Sequence, residues 1–215
     1  MLQIGVLASG SGTNLGALIE AIDEGRLAAR IAVVVGNVAG AFALERARAA
    51  GIPTVCLPHR EHASRDAFDA AVHAALERHG VDLVVLAGFM RILGAPFVRN
   101  WHGRLLNVHP SLLPAFPGFA AHKQALDAGA RITGCTVHLV DEGTDTGPIV
   151  AQAAVPILAG DDEAALHARI QRQEHRLLPW VVNLFAERRV RLEGRRVRLD
   201  LPPGDDAAAL VVPAP

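Results

Sequence analysis

The opening stretch Met1-Leu2-Gln3-Ile4-Gly5-Val6-Leu7-Ala8-Ser9-Gly10-Ser11-Gly12-Thr13-Asn14 runs from an apolar segment into four small residues. A segment with Leu15, Leu18, Ile19 and Ile22 along one helix face follows. A strand over residues 4–7, a glycine turn and a helix stopped near Gly25 make a first βα unit. The pattern repeats outward from it. Strands are predicted at 31–35, 54–57 and 83–86. A second helix runs over 42–50 to Gly51, where Pro53 blocks continuation, and a third from the N-cap Ser64 through Phe68, Val72 and Leu76 to Gly80. Beyond a strand at 105–108, Pro110, Pro114 and Pro117 force a loop. A short helix at 121–128, strands at 136–140 and 149–155, and a long helix at 162–185 bent near Pro179 come next. A hairpin of 190–192 and 197–199 around Glu193-Gly194 closes the pattern. The fold class expected is α/β: a Rossmann-like, open, mostly parallel sheet with helices on both faces and antiparallel additions in the C-terminal part. One domain is expected over residues 1–200, with 201–215 as a tail.

Composition narrows the function. The chain has 215 residues, 51% hydrophobic and 20% charged, enough to bury a real core without disulfides. Its 21 basic and 22 acidic residues nearly cancel, which removes the field that gathers nucleic acid, so no nucleic-acid partner is expected. Two cysteines, Cys56 and Cys135, point to a reducing, cytoplasmic compartment. No run approaches the ~20 apolar residues of a membrane span, so no membrane partner is expected either. Lys123 is the single lysine among the 21 basic residues, which sets aside most lysine-dependent chemistry.

Three segments carry candidate chemistry. Ser9 to Asn14, between first strand and first helix, suits an anion cradle, most simply for phosphate; the same glycines also suit a plain turn. It lacks the Gly-Lys-Ser/Thr of a Walker loop, and Gly16 falls one residue late for a dinucleotide fingerprint. Asn107 and His109 stand two apart at a strand end, so their side chains leave one face, just where an open sheet forms its crevice. A histidine there can equally be a satisfied core or surface group. Asp141 to Pro148 is an acidic loop that can be a solvated connection. Calcium does not fit it, because Thr146 and Gln152 occupy the positions where an EF-hand needs glycine and glutamate. No zinc spacing and no nucleophile elbow occur. Cys135 and His138 fall on opposite strand faces, with Cys135 in the core. The six arginines of 188–198 read as a solvated hairpin, and His62, His73 and His79 as solvent-facing.

Together, Ser-Gly-Ser-Gly-Thr-Asn-Leu at 9–15, Ala-Gly-Phe-Met-Arg-Ile-Leu at 87–93, Leu-Asn-Val-His-Pro-Ser-Leu-Leu-Pro at 106–114, Gly-Cys-Thr-Val-His at 134–138 and Asp-Thr-Gly-Pro-Ile at 145–149 resemble, in order, the phosphoribosylglycinamide formyltransferases. These are folate-dependent enzymes of purine synthesis, and the likeness covers about residues 1–200. Asn-x-His-Pro-Ser-Leu-Leu-Pro with a downstream Asp-x-Gly-Pro marks the formyl-transferring superfamily; the glycine loop and Gln171-Arg172-Gln173-Glu174 mark the glycinamide branch.

The resemblance implies a catalytic triad of Asn107, His109 and Asp145. It implies a phosphoribosylglycinamide site of Gly12, Thr13, Asn14, Gln171, Arg172, Gln173 and Glu174. It also implies a folate site of Arg65, Met90, Arg91, Ile92, Leu93 and Asn107 with Asp141, Glu142, Gly143 and Thr144. The co-substrate implied is 10-formyltetrahydrofolate and no metal, with a tetrahedral intermediate and no acyl-enzyme; the partners are these small molecules, and the protein a monomer or homodimer. Thr144 and Leu139 depart from the family's usual residues near the pterin. A deformylase is the nearest rival; it usually carries an extra N-terminal domain for which this chain has no room. A dinucleotide-binding module is a rival of another class, disfavoured by the shifted glycine.

Overall fold

A computed structural model describes residues 1–201. The expected tail therefore lies, except for Leu201, outside the described residues. Seven strands form one sheet: β1 (Leu2–Ala8), β2 (Ala29–Gly36), β3 (Thr54–Cys56), β4 (Leu83–Leu86), β5 (Leu105–His109), β6 (Ile132–Leu139) and β7 (Ile149–Pro156). Their order is β3-β2-β1-β4-β5-β6-β7, parallel from β3 through β5 and antiparallel at β5–β6 and β6–β7. The helices are α1 (Thr13–Asp23), α2 (Phe42–Ala49), α3 (Arg65–Arg78), α4 (Ala95–Asn100), α5 (Ala121–Asp127) and α6 (Glu163–Ala186). A separate hairpin, β8 (Val190–Glu193) with β9 (Arg196–Leu199), ends the described chain. No helix among the described residues is long and apolar enough to cross a membrane.

Alternation along the central strands divides the core. Ile4, Val6 and Ala8 of β1 pack with Leu15 and Leu18 of α1, Leu44 of α2 and Leu178, Val181 and Val182 of α6. Leu7 faces the other way, toward Phe68, Val72 and Leu76 of α3 and Phe97 and Trp101 at α4. Each large apolar side chain so buried contributes about 1.5–3 kcal/mol, which makes helices on both faces the stable arrangement. A third cluster joins Cys135 and Val155 to Leu166 and Ile170 under α6. Burial pushes the Cys135 thiol up to about 12, so it behaves as a small apolar core residue.

Several sequence expectations need correction. Helix α4 has no counterpart in the reading above, because six residues are too few for a period and Pro96 reads as a breaker; in the first turn proline is tolerated. Strand β6 begins at Ile132, four residues earlier than expected. Gly134, which weakens the strand signal, lies where a Cβ would overlap the Ala153 carbonyl oxygen of β7. His73 is not solvent-facing: its Nδ1 accepts a hydrogen bond from Trp101 Nε1 at 3.1 Å. His62 packs edge-on against Phe68, and His79 Nδ1 bonds the Ala75 carbonyl at 2.8 Å, so these two are also half-buried.

Candidate active site

A cleft of about 500 Å³ opens at the carboxyl ends of β1 and β4, where the strand order reverses. Ser9 ties its walls together: its N–H donates to the Gly88 carbonyl (3.1 Å), its Oγ donates to Asn37 Oδ1 (2.6 Å) and accepts from Met90 N–H (2.8 Å). Gly12 then turns the chain into α1 with φ of 67°, and a Cβ there would stand 2.7 Å from both Cα and Cβ of Ala43. Only glycine allows this approach. No side chain caps α1, so its first N–H groups are free to face an anion in the cleft.

Helix α6 closes the same end. Gln171 Nε2 donates to Thr13 Oγ1 and Asn14 Nδ2 to Glu174 Oε2, both at 3.0 Å, across about 160 residues of sequence. Asn14 and Glu174 are 8% and 6% exposed, and Asn14 Oδ1 has no partner. Burial raises the Glu174 pKa, while the Asn14 hydrogen bond and the nearby His122 pull the other way. Gln171 and Glu174 lie three apart and share a helix face; Arg172 and Gln173 turn off the cleft.

The Asp145 carboxylate gathers the expected triad. Oδ2 accepts from Gly118 N–H (2.8 Å) and lies 3.3 Å from His109 Nδ1. Oδ1 lies 3.5 Å from Asn107 Nδ2 and 3.6 Å from His138 Nε2. Burial works to raise the Asp145 pKa, but His138, the Gly118 N–H and His109 outweigh it and hold the carboxyl below the usual carboxylate range. Asp145 sits at φ 54°, a left-handed backbone rare outside glycine, and strain of this kind concentrates at functional sites. His109 Nε2 bonds the Phe116 carbonyl at 2.9 Å, so both ring nitrogens face acceptors. Burial nevertheless lowers its pKa below 6.5, against the pull of Phe116 and Asp145.

His138 belongs to this centre and was not singled out as a site residue, although its motif was. Strand register places it directly opposite Asn107, and Asn107 Nδ2 reaches His138 Nε2 at 3.1 Å. His138 Nδ1 lies 2.9 Å from the Leu139 carbonyl, and its Nε2 faces both Asn107 Nδ2 and Asp145 Oδ1. The signal available was its even spacing from Thr136 on a strand pairing with the Asn107 strand. Gly118 and Phe116, on the loop after β5, also carry no side-chain signal, since each acts through its backbone.

Met90 and Ile92, 63% and 58% exposed, line the far part of the cleft with Leu93, Arg91 and the loop Asp141 to Thr144. Phe119, 70% exposed, lines the same cleft. Arg65 does not line it: as the first residue of α3 it lies outside the wall, beside Gly94.

The formyl transferase family model matches residues 2–182. The chain belongs to the formyl transferase family. Among curated relatives, the "Phosphoribosylglycinamide formyltransferase" of Escherichia coli K12 is 45% identical over 210 residues, 96% of this chain and 99% of that protein. The "Trifunctional purine biosynthetic protein adenosine-3" of Drosophila pseudoobscura pseudoobscura is 52% identical over 186 residues, 86% of this chain; the chain spans 14% of that relative's length. The crystal structure of glycinamide ribonucleotide transformylase 1 from Symbiobacterium toebii superposes with a TM-score of 0.91 at 52% identity, covering 93% of this chain and 94% of that one. In this formyl transferase the centre on Asp145 thus lies at the switch point of a sheet shared with its relatives.

Proposed function

We propose that this chain transfers the formyl group of 10-formyltetrahydrofolate to the amine of 5'-phosphoribosylglycinamide, a step of purine biosynthesis. The observation that carries it is Asp145 holding Asn107, His109 and His138 within 3.6 Å in one cleft with a free helix N-terminus and an exposed apolar wall. The helix terminus suits a phosphate, and the wall of Met90, Ile92 and Phe119 suits a flat aromatic co-substrate. Gln171 and Glu174 close on the ribose phosphate side.

The chemistry asks for two things. Amine attack on the formyl carbon moves the C=O electron pair onto oxygen, and one proton must pass from the amine to the nitrogen that leaves. Asn107 Nδ2 meets His138 Nε2 at 3.1 Å and Asp145 at 3.5 Å, and by giving up the longer contact it can turn an N–H to that oxygen. His109, whose pKa burial lowers, can take the amine proton at Nε2 once that nitrogen leaves the Phe116 carbonyl, with Nδ1 kept on Asp145. The imidazolium that results is balanced by Asp145 and becomes the second oxyanion donor, a role worth about 10²–10³ in rate per donor. His109 then returns the proton to the leaving nitrogen. Anchoring the remote phosphate converts binding energy into orientation at the amine.

The test mixes the protein with 10-formyltetrahydrofolate and follows release of tetrahydrofolate with and without the ribonucleotide. Release that requires the ribonucleotide is expected; release without it would make the chain a deformylase. Thr13→Val is expected to raise KM for the ribonucleotide about tenfold, the worth of a hydrogen bond near 1.4 kcal/mol, and to leave KM for the folate unchanged. A change confined to the folate would reverse the two subsites.

A further inference from the structure

We propose that His122 and His167 form a proton-linked cationic contact for the phosphate group that enters beside the glycine loop. This inference rests on the reading of the cleft just given. Arginine and lysine are the usual charged phosphate contacts, and among the described residues Arg91, at the apolar end, is the only one of either that lines the cleft. The groups that can carry positive charge at the other end are His122 of α5 and His167 of α6. Their ring centroids are 5.1 Å apart. His167 lies one helical turn before Gln171, which touches Thr13, so it shares the face that closes the cradle.

The pair is built with capacity to spare. His122 Nε2 meets Glu163 Oε1 at 2.9 Å, while its Nδ1 is buried without a partner. The charged groups that face the pair are Glu163 on its outer side and Glu174 beyond His122; Lys123, next to His122, is paired with Asp127 at 2.6 Å. Among the described residues no three His, Cys, Asp or Glu are placed to hold a metal ion together. Burial and the charge of His122 hold the His167 pKa below 6.5, against Glu163, which raises it.

The sign follows. In the free protein burial and His122 favour the uncharged form of His167. A phosphate dianion beside it raises its pKa, so binding takes up a proton, and affinity falls as pH rises through the pKa of the bound form. Below about pH 6 the phosphate itself gains a proton, which sets the acid limit.

The experiment is titration calorimetry of 5'-phosphoribosylglycinamide into the full chain at pH 7.0 and 8.5, in buffers of differing ionisation enthalpy. The wild type is expected to take up more protons at pH 7.0 than His167→Asn, which binds roughly tenfold more weakly. The difference isolates the histidine, because the substrate's amine titrates alike in both. His167→Arg, a permanent cation, is expected to restore affinity without the extra proton and to hold it at pH 8.5, where the wild type weakens. Equal affinity and equal proton uptake in wild type and His167→Asn would overturn the inference. A wild type that neither binds nor formylates the ribonucleotide would instead remove the functional reading beneath it.

Discussion

Asp145→Asn is expected to lower kcat by about 10³ while changing the affinity for the phosphoribosyl substrate less than threefold. The substitution keeps the size and removes the charge. In the wild type four donors converge on the two carboxylate oxygens: Gly118 N–H, Asn107 Nδ2, and His109 and His138 when protonated there. A carboxamide offers one oxygen and an NH₂, so a donor must face a donor at one side. The imidazolium of His109, already opposed by burial, then loses the charge that balances it. Steady-state kcat and calorimetric Kd on one preparation check this, and a kcat within tenfold of wild type would remove Asp145 as the charge that balances His109. The phosphate cradle is formed by α1 and α6, so its affinity survives.

Gly147→Ala is expected to cost about 3 kcal/mol or more of stability and nearly all activity. Gly147 is buried just beyond Asp145, and a Cβ there would overlap the Leu139 carbonyl oxygen and stand 2.9 Å from its carbon and 3.1 Å from Asp141 N. All three neighbours are backbone at the end of β6, so relief requires moving the strand end or the loop. Either movement displaces Asp145, which already holds an unfavourable φ of 54°. Thermal unfolding should show a midpoint lower by about 6–12 °C for a chain of this size. Gly143→Ala, in the same loop, has side-chain atoms of Thr146 as its nearest neighbours; relief there breaks the Thr146–Asp141 hydrogen bond and leaves the strand end in place, so the cost should be lower, about 1–2 kcal/mol. Equal losses in the two variants would show that the loop, and not the Leu139 contact, sets the cost.

Much of this was legible in local pattern. The apolar alternation of residues 4–7, 31–35 and 83–86, with amphipathic helices between, is enough to write a parallel sheet, because burial on both faces needs that spacing. The glycine loop is legible because a positive φ against a neighbouring helix admits only glycine. Asn107 and His109 share a face because strands repeat every two residues. Family motifs, and not spacing, pointed to Asp145 as their partner.

What only tertiary structure decided is which distant groups meet. Register between β5 and β6 sets His138 opposite Asn107, 31 residues apart, and no local period encodes a register. Helix α6 brings Glu174 to Asn14 while the turn of the same helix carries Arg172 and Gln173 away, a choice the contiguous motif could not make. Packing of α5 against α6 brings His122 to His167, and burial then favours the uncharged forms of both His109 and His167. Sequence dictates elements because their periods are local; protonation and partnership depend on the dielectric and the neighbours that only the packed chain supplies.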